Sequence, residues 1–122
     1  MSIRLAQKEA LKSVFPRHRV GAVIVKGNRV VSTGYNKHGY SKITRYNTLH
    51  AEEMAVVRLL RHADFSALNG STIYVTRFTP GGNVGLAKPC NRCSELLRSV
   101  GVSRVVYSGV IVTGKQIGRA HV

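Results

Sequence analysis

His50-Ala51-Glu52 and, further along, Pro89-Cys90-Asn91-Arg92-Cys93 are the residues of this chain whose types and spacing can do chemistry. Together they offer one imidazole, two thiols and a carboxylate to spare. Three protein ligands on a tetrahedral zinc leave its fourth position open, which separates a catalytic zinc from a closed structural one. A spare carboxylate beside a metal-activated water is what a hydrolytic proton shuttle requires. The two motifs read together as a zinc hydrolase signature.

Cys90 and Cys93 are the only cysteines. A CxxC pair can be a redox dithiol, half of a structural zinc site or half of a catalytic one. A structural site needs a second ligand pair at short spacing, and the sequence has none. A thioredoxin-type pair would leave His50-Ala51-Glu52 without a purpose. Catalytic zinc is the reading that employs both motifs.

The elements that must position these residues follow from periodicity. Residues 2–15 suit a helix with Ile3, Ala6, Ala10, Leu11 and Val14 on one face, stopped by Pro16. Val20–Val25 and Arg29–Gly34 are β-rich runs around Lys26-Gly27-Asn28, a hairpin signal. Residues 37–47 form a polar, basic loop. A second helix is expected from Asn47 or Thr48 to about Ala63, apolar nearly all round and so buried. Ser71–Phe78 reads as a third strand. A Gly-rich loop leads to Pro89, which suits a helix first turn, and Gly101 stands where that helix should be capped. Arg104–Ser108 is a fourth strand and Gly109–Thr113 a fifth, antiparallel to it across Ser108-Gly109. The order αββαβαββ predicts an α/β sheet flanked by helices.

Both motif halves thus fall at helix N-termini, where backbone N–H groups and the positive dipole end favour negative charge. Cys90 and Cys93, at i and i+3, share one face of a first turn. Dipole and metal together favour their thiolates, with His50 a neutral imidazole. Glu52 and Glu53 are both placed to shuttle protons, and spacing alone does not choose between them.

At 122 residues the chain suits one domain with its own core, and 43% apolar residues are ordinary for a globular protein. No apolar run is long enough to span a membrane, and the N-terminus lacks the apolar block of a signal peptide, so a cytoplasmic location is expected. Nineteen Lys and Arg against five Asp and Glu give a net charge of +14. A field of that strength favours polyanionic partners. The last six residues, 117–122, pack no obvious element and resemble a translated adapter oligonucleotide. They are set apart as a non-native or disordered tail behind a catalytic domain at 1–116.

H-A-E followed by P-C-x-x-C resembles the zinc-dependent cytidine and deoxycytidylate deaminase superfamily. The likeness extends from about Val20 to Ser108. Val20-Gly21-Ala22-Val23-Ile24-Val25, Thr33-Gly34-Tyr35-Asn36 and Thr72-Ile73-Tyr74-Val75-Thr76 are similar to the family's strands and stand in its order. The resemblance implies a three-layer α-β-α fold around a five-stranded mixed sheet. It implies zinc on His50, Cys90 and Cys93, with Glu52 as the acid/base. It also implies that the Ala51 backbone meets a pyrimidine carbonyl, that Asn36 reaches the sugar, and that the chain forms a homo-oligomer.

Departures from the family pattern bear on the substrate. Residues 80–88 are inserted before the cysteines, either as a substrate lid or as a hairpin without a role. Lys88 stands where the tRNA adenosine deaminases have glutamate, which weighs against adenine, and tryptophan is absent. Lys88 and Pro89 are expected at the substrate. Arg77, Lys88 and Arg92 are expected near the pocket mouth, placed to hold a phosphate. Arg45 and Tyr46, with Tyr40, Lys37 and Lys42, would stack bases and hold phosphates in the loop before His50. His18, His38 and His62 are read as surface or loop residues. The leading expectation is a deaminase of a free pyrimidine nucleoside or nucleotide. A deaminase of cytosine in single-stranded DNA or RNA is the alternative, favoured by charge. A zinc-stabilised nucleic-acid-binding module without catalysis is a minor third.

Overall fold

A strand buried on both faces must find a helix layer on each side, and residues 19–26 are such a strand. The computed structural model describes residues 2–15, 18–38, 48–62, 65–108 and 117–120. In it, β1 (Arg19–Lys26) is central and buried from Gly21 to Val25. Val23 and Val25 meet Ala6 of helix α1 (Ser2–Ala10) on one face. Ala22 and Ile24 join the main core on the other, with Ala51, Ala55, Val56 and Leu59 of α2 (Ala51–Arg61). Leu97 of α3 (Asn91–Ser99) belongs to the same core. The expected three layers are present.

Strand β2 (Arg29–Tyr35) pairs antiparallel with β1, and two short strands follow, β3 (Lys37–His38) and β4 (Thr48–Leu49), paired with each other. After α2 and a 3₁₀ turn at Phe65–Ala67 come β5 (Thr72–Phe78), β6 (Val84–Gly85), α3, β7 (Arg104–Ser108) and β8 (Ile117–Ala120). The main sheet runs β2-β1-β5-β7-β8, with β6 on the end of β5. Among the described residues only the β5–β7 pair is parallel, and α3 makes its crossover. Gly101 ends α3 in the left-handed region (φ 94°), as expected of a C-terminal cap. Among the described residues no helix is long and apolar enough to cross a membrane.

Four expectations change. Helix α1 stops at Ala10, and Leu11 and Val14 are 60% and 72% exposed rather than core. Helix α2 starts at Ala51, because Thr48 and Leu49 are drawn into the β4 ladder, leaving His50 as its N-cap. Helix α3 starts at Asn91 with Cys90 as N-cap, so Pro89 precedes its first turn. The strand antiparallel to β7 is Ile117–Ala120, in the segment set apart as a tail, whereas Gly109–Thr113 lies outside the described residues.

Helix α2 is seated on the edge strand β2 by close approach. A Cβ on Gly34 would collide with the backbone of Ala51 and Ala55. Ser32 Oγ donates to Ala55 O at 2.7 Å, and Arg58 Nη1 to Thr33 O at 2.9 Å. A methyl group at residue 34 must therefore push α2, the helix that His50 caps, off the sheet. Gly34→Ala is expected to cost about 1–3 kcal/mol, read as a lower denaturant midpoint with an unchanged m-value.

Candidate active site

The order β1-β5-β7 carries α2 and α3 to the same sheet face, with their N-caps together. His50 is the N-cap of α2, and Cys90 that of α3. His50 Nδ1 lies 3.1 Å from Cys93 Sγ and 3.7 Å from Cys90 Sγ. All three donor atoms fall within 4.8 Å of one another, close enough for a single ion. Neutral imidazole and thiolates suit zinc, and three of them leave one position for a reactant. The surroundings agree: burial and the Arg92 charge hold His50 below its ordinary pKa, keeping the imidazole neutral. Burial and the nearby Glu52 and Cys90 charges push the Cys93 thiol far up. A divalent cation reverses that balance and makes the thiolate the stable form. These residues fit zinc.

The two glutamates part company. Glu52 is 5% exposed and lines the cavity beside the ligands, its carboxyl raised to about 7, chiefly by burial. Glu53 is 1% exposed and fully engaged elsewhere. Its Oε1 accepts from the His50 backbone N–H at 2.9 Å, while Arg92 donates from Nε to Oε2 at 2.7 Å and from Nη2 to Oε1 at 2.5 Å. Burial raises the Glu53 carboxyl, but these hydrogen bonds outweigh it and leave the group below its ordinary pKa.

The cavity holds about 310 Å³ and opens onto His50, Cys90 and Glu52. Ala51, Asn36, Arg77, Leu86, Ala87 and Lys88 also line it, with His18 and Val20 completing the wall.

A family model described as the cytidine and deoxycytidylate deaminase zinc-binding region matches residues 1–109. The chain belongs to this family. It is a zinc-binding hydrolytic deaminase of the cytidine and deoxycytidylate superfamily. The deoxycytidylate deaminase of Mycobacterium phage D29 is 33% identical over 126 residues, covering 84% of this chain and 88% of the phage protein. A tRNA-specific adenosine deaminase from Aquifex aeolicus is 29% identical over 110 residues, 88% of this chain and 64% of that protein. The chain spans only about half the length of several other curated relatives it matches. The crystal structure of a cytidine deaminase from Burkholderia pseudomallei shares the fold, with a TM-score of 0.71 at 20% identity over 98% of this chain and 89% of that one.

Within this deaminase site, Asn36, Ala51 and Lys88 line the cavity, whereas Pro89 is half-buried beside it and not part of its described wall. Arg45 and Tyr46 lie outside the described residues. Asn36 already ties two backbone groups: Oδ1 accepts from Val20 N at 2.9 Å and Nδ2 donates to His18 O at 2.6 Å. Arg92, expected at the mouth, turns instead to Glu53 and to Thr48 O at 2.8 Å. His18, read as a surface or loop residue, is exposed and lies outside any helix or strand as expected, and it also lines the cavity, where burial and the Arg77 charge lower its pKa. The signal for it was its place just before β1, whose start adjoins the pocket. The insertion is a hairpin pairing Arg77 with Gly85 and Phe78 with Val84. Its tip is exposed and its returning arm, Leu86–Lys88, is cavity wall.

Cys90→Ala and Cys93→Ala should each leave the purified protein with much less bound zinc than wild type, measured by elemental analysis. His62→Ala, far from the cluster, should keep wild-type zinc content.

Proposed function

We propose that this deaminase converts a cytosine-type base to uracil in a free nucleoside or nucleotide, such as cytidine, deoxycytidine or deoxycytidylate. The cavity carries the reading: about 310 Å³ with His50, Cys90 and Glu52 together in its wall and Cys93 buried within 4.8 Å of the other two ligand atoms. That volume is at the small end of ligand pockets and suits one nucleotide. The phage relative's name, deoxycytidylate deaminase, points the same way. Arg77 and Lys88 in the wall suit a phosphate on the sugar.

Zinc, when bound, supplies a Lewis acid that makes hydroxide available near neutral pH. His50, Cys90 and Cys93 hold it. Glu52 takes a proton from the attacking water and delivers it to the ring nitrogen as a C–O bond forms at C4. It then transfers the second water proton to the amino nitrogen. The C4–N bond breaks, and uracil and ammonia leave. Burial of Glu52 excludes bulk water from this relay. The Ala51 backbone and the Asn36 amide orient base and sugar. Cytoplasmic action and assembly into a homo-oligomer belong to the same reading.

The net charge of +14 favours a second reading, in which the cytosine lies in a single strand of DNA or RNA. Zinc-loaded protein incubated with cytidine, deoxycytidine, their monophosphates and cytosine-bearing single strands separates the two, with ammonia release as the readout. Turnover of the small substrates is expected, and Glu52→Gln should lower it at least ~10²–10⁴-fold while keeping its zinc. Turnover of strands alone would replace the proposal with the second reading. No turnover of anything would leave a zinc-stabilised binding module.

A further inference from the structure

The ion pair between Arg92 and Glu53 has no part in the chemistry above, yet it joins the two motifs that carry it. We propose that it is a latch across the two ligand-bearing helices, and that Arg92 and Glu53 are positioning residues that fix the geometry in which His50, Cys90 and Cys93 meet the metal.

The connectivity makes the case. Glu53 is three residues after His50 in the first turn of α2, and its Oε1 holds the His50 backbone N–H at 2.9 Å. Arg92 lies between Cys90 and Cys93 in the first turn of α3. Its Nε and Nη2 reach the two oxygens of the Glu53 carboxylate at 2.7 and 2.5 Å, a fork-to-fork contact that fixes orientation as well as distance. The same Nη2 donates to Thr48 O at 2.8 Å, two residues before the metal-ligating histidine. One guanidinium therefore grips the chain on both sides of His50 while flanked by the two thiols. A shift of either helix along the other breaks these bonds before it separates imidazole from thiolate.

Burial gives the latch its stiffness. Glu53 is 1% exposed and Arg92 is 23% exposed at its side chain, so the pair is poorly screened and one partner left alone would be an uncompensated charge. Lysine in place of Arg92 would keep the charge but lack the planar fork. The cap on α3 points the same way: Cys90 caps it without a side-chain hydrogen bond to its backbone. Besides the approach of the two sulfurs to His50 Nδ1, the contacts of Arg92 with Glu53 are charged hydrogen bonds from this turn to the opposite helix.

The inference rests on the zinc assignment and not on the identity of the substrate, and its test needs no substrate. Glu53→Gln keeps an acceptor for the His50 N–H but loses the charge; Arg92→Lys keeps the charge but loses the fork. Zinc affinity is measured by competition with a chromophoric chelator, and ligand geometry from the visible absorption of the cobalt-substituted protein. Both variants are expected to bind zinc about 10–100-fold more weakly than wild type and to give altered cobalt spectra. Wild-type affinity and spectrum in a folded variant, with only a lowered unfolding midpoint, would reduce the pair to a structural contact and overturn the proposal. Should a single variant fail to fold, the double variant Glu53→Met/Arg92→Met removes both charges while retaining bulk. Weakened zinc binding there supports the latch, and wild-type binding refutes it.

Discussion

Everything in this molecule depends on bringing two helix N-termini together at one point over a sheet. One histidine from α2 and two cysteines from α3, far apart in sequence, must place three donor atoms within 4.8 Å. The sheet supplies the rough placement. Its parallel β5–β7 pair needs a crossover, α3 makes it, and the order β1-β5-β7 puts α3 beside α2. Close approach supplies the fine placement, because Gly34 lets α2 lie directly on β2. A ligand set spread over two elements inherits the positional error of both, so tight seating and a direct tie between the helices are the physical requirements.

The adjacent acids show how a helix distributes roles. Successive helical residues point about 100° apart, so of Glu52 and Glu53 only one can face the cavity while the other faces α3. Position then decides chemistry. In the cavity, burial raises Glu52 to about 7. Against Arg92 and the His50 N–H, Glu53 stays ionised and becomes a strut. Sequence spacing left the two equivalent because it hinged on whether His50 was itself helical. As an N-cap, His50 is where a helical i+3 rule stops applying and a capping contact begins.

Strong periodicity was legible, and what depends on partners was not. Strands β1, β2, β5 and β7 appeared within a residue or so of expectation, since β-branched runs bounded by turns have few other uses. The clustering of His50 with Cys90 and Cys93 was legible because these are the chain's two cysteines and each motif opens a helix. Helix α1 was overextended because Leu11 and Val14 continue its apolar stripe, yet the helix ends at Ala10 and both side chains are exposed. The start of α2 was misplaced because β4 exists only through its pairing with Lys37 and His38. Arg92 was misjudged because a cation's role is set by what lies opposite, and that is a matter of topology.

That last point bears on the charge of the whole chain. A net +14 invites a polyanionic partner, but total charge acts at long range and is screened within roughly 10 Å at ordinary salt. At the cavity the count is different. Arg92, nearest the metal ligands in sequence, is committed to the buried carboxylate of Glu53 and to Thr48 O. Arg77 and Lys88 remain in the wall, with His18 held toward its neutral form by burial and by Arg77. Two cations facing one small cavity match the charge of a single phosphate group better than that of a long backbone. The rest of the basic surface can hasten the arrival of any anion without selecting among them, so under the proposed function it is the shape of the cavity and the two cations lining it that would separate a mononucleotide from a strand.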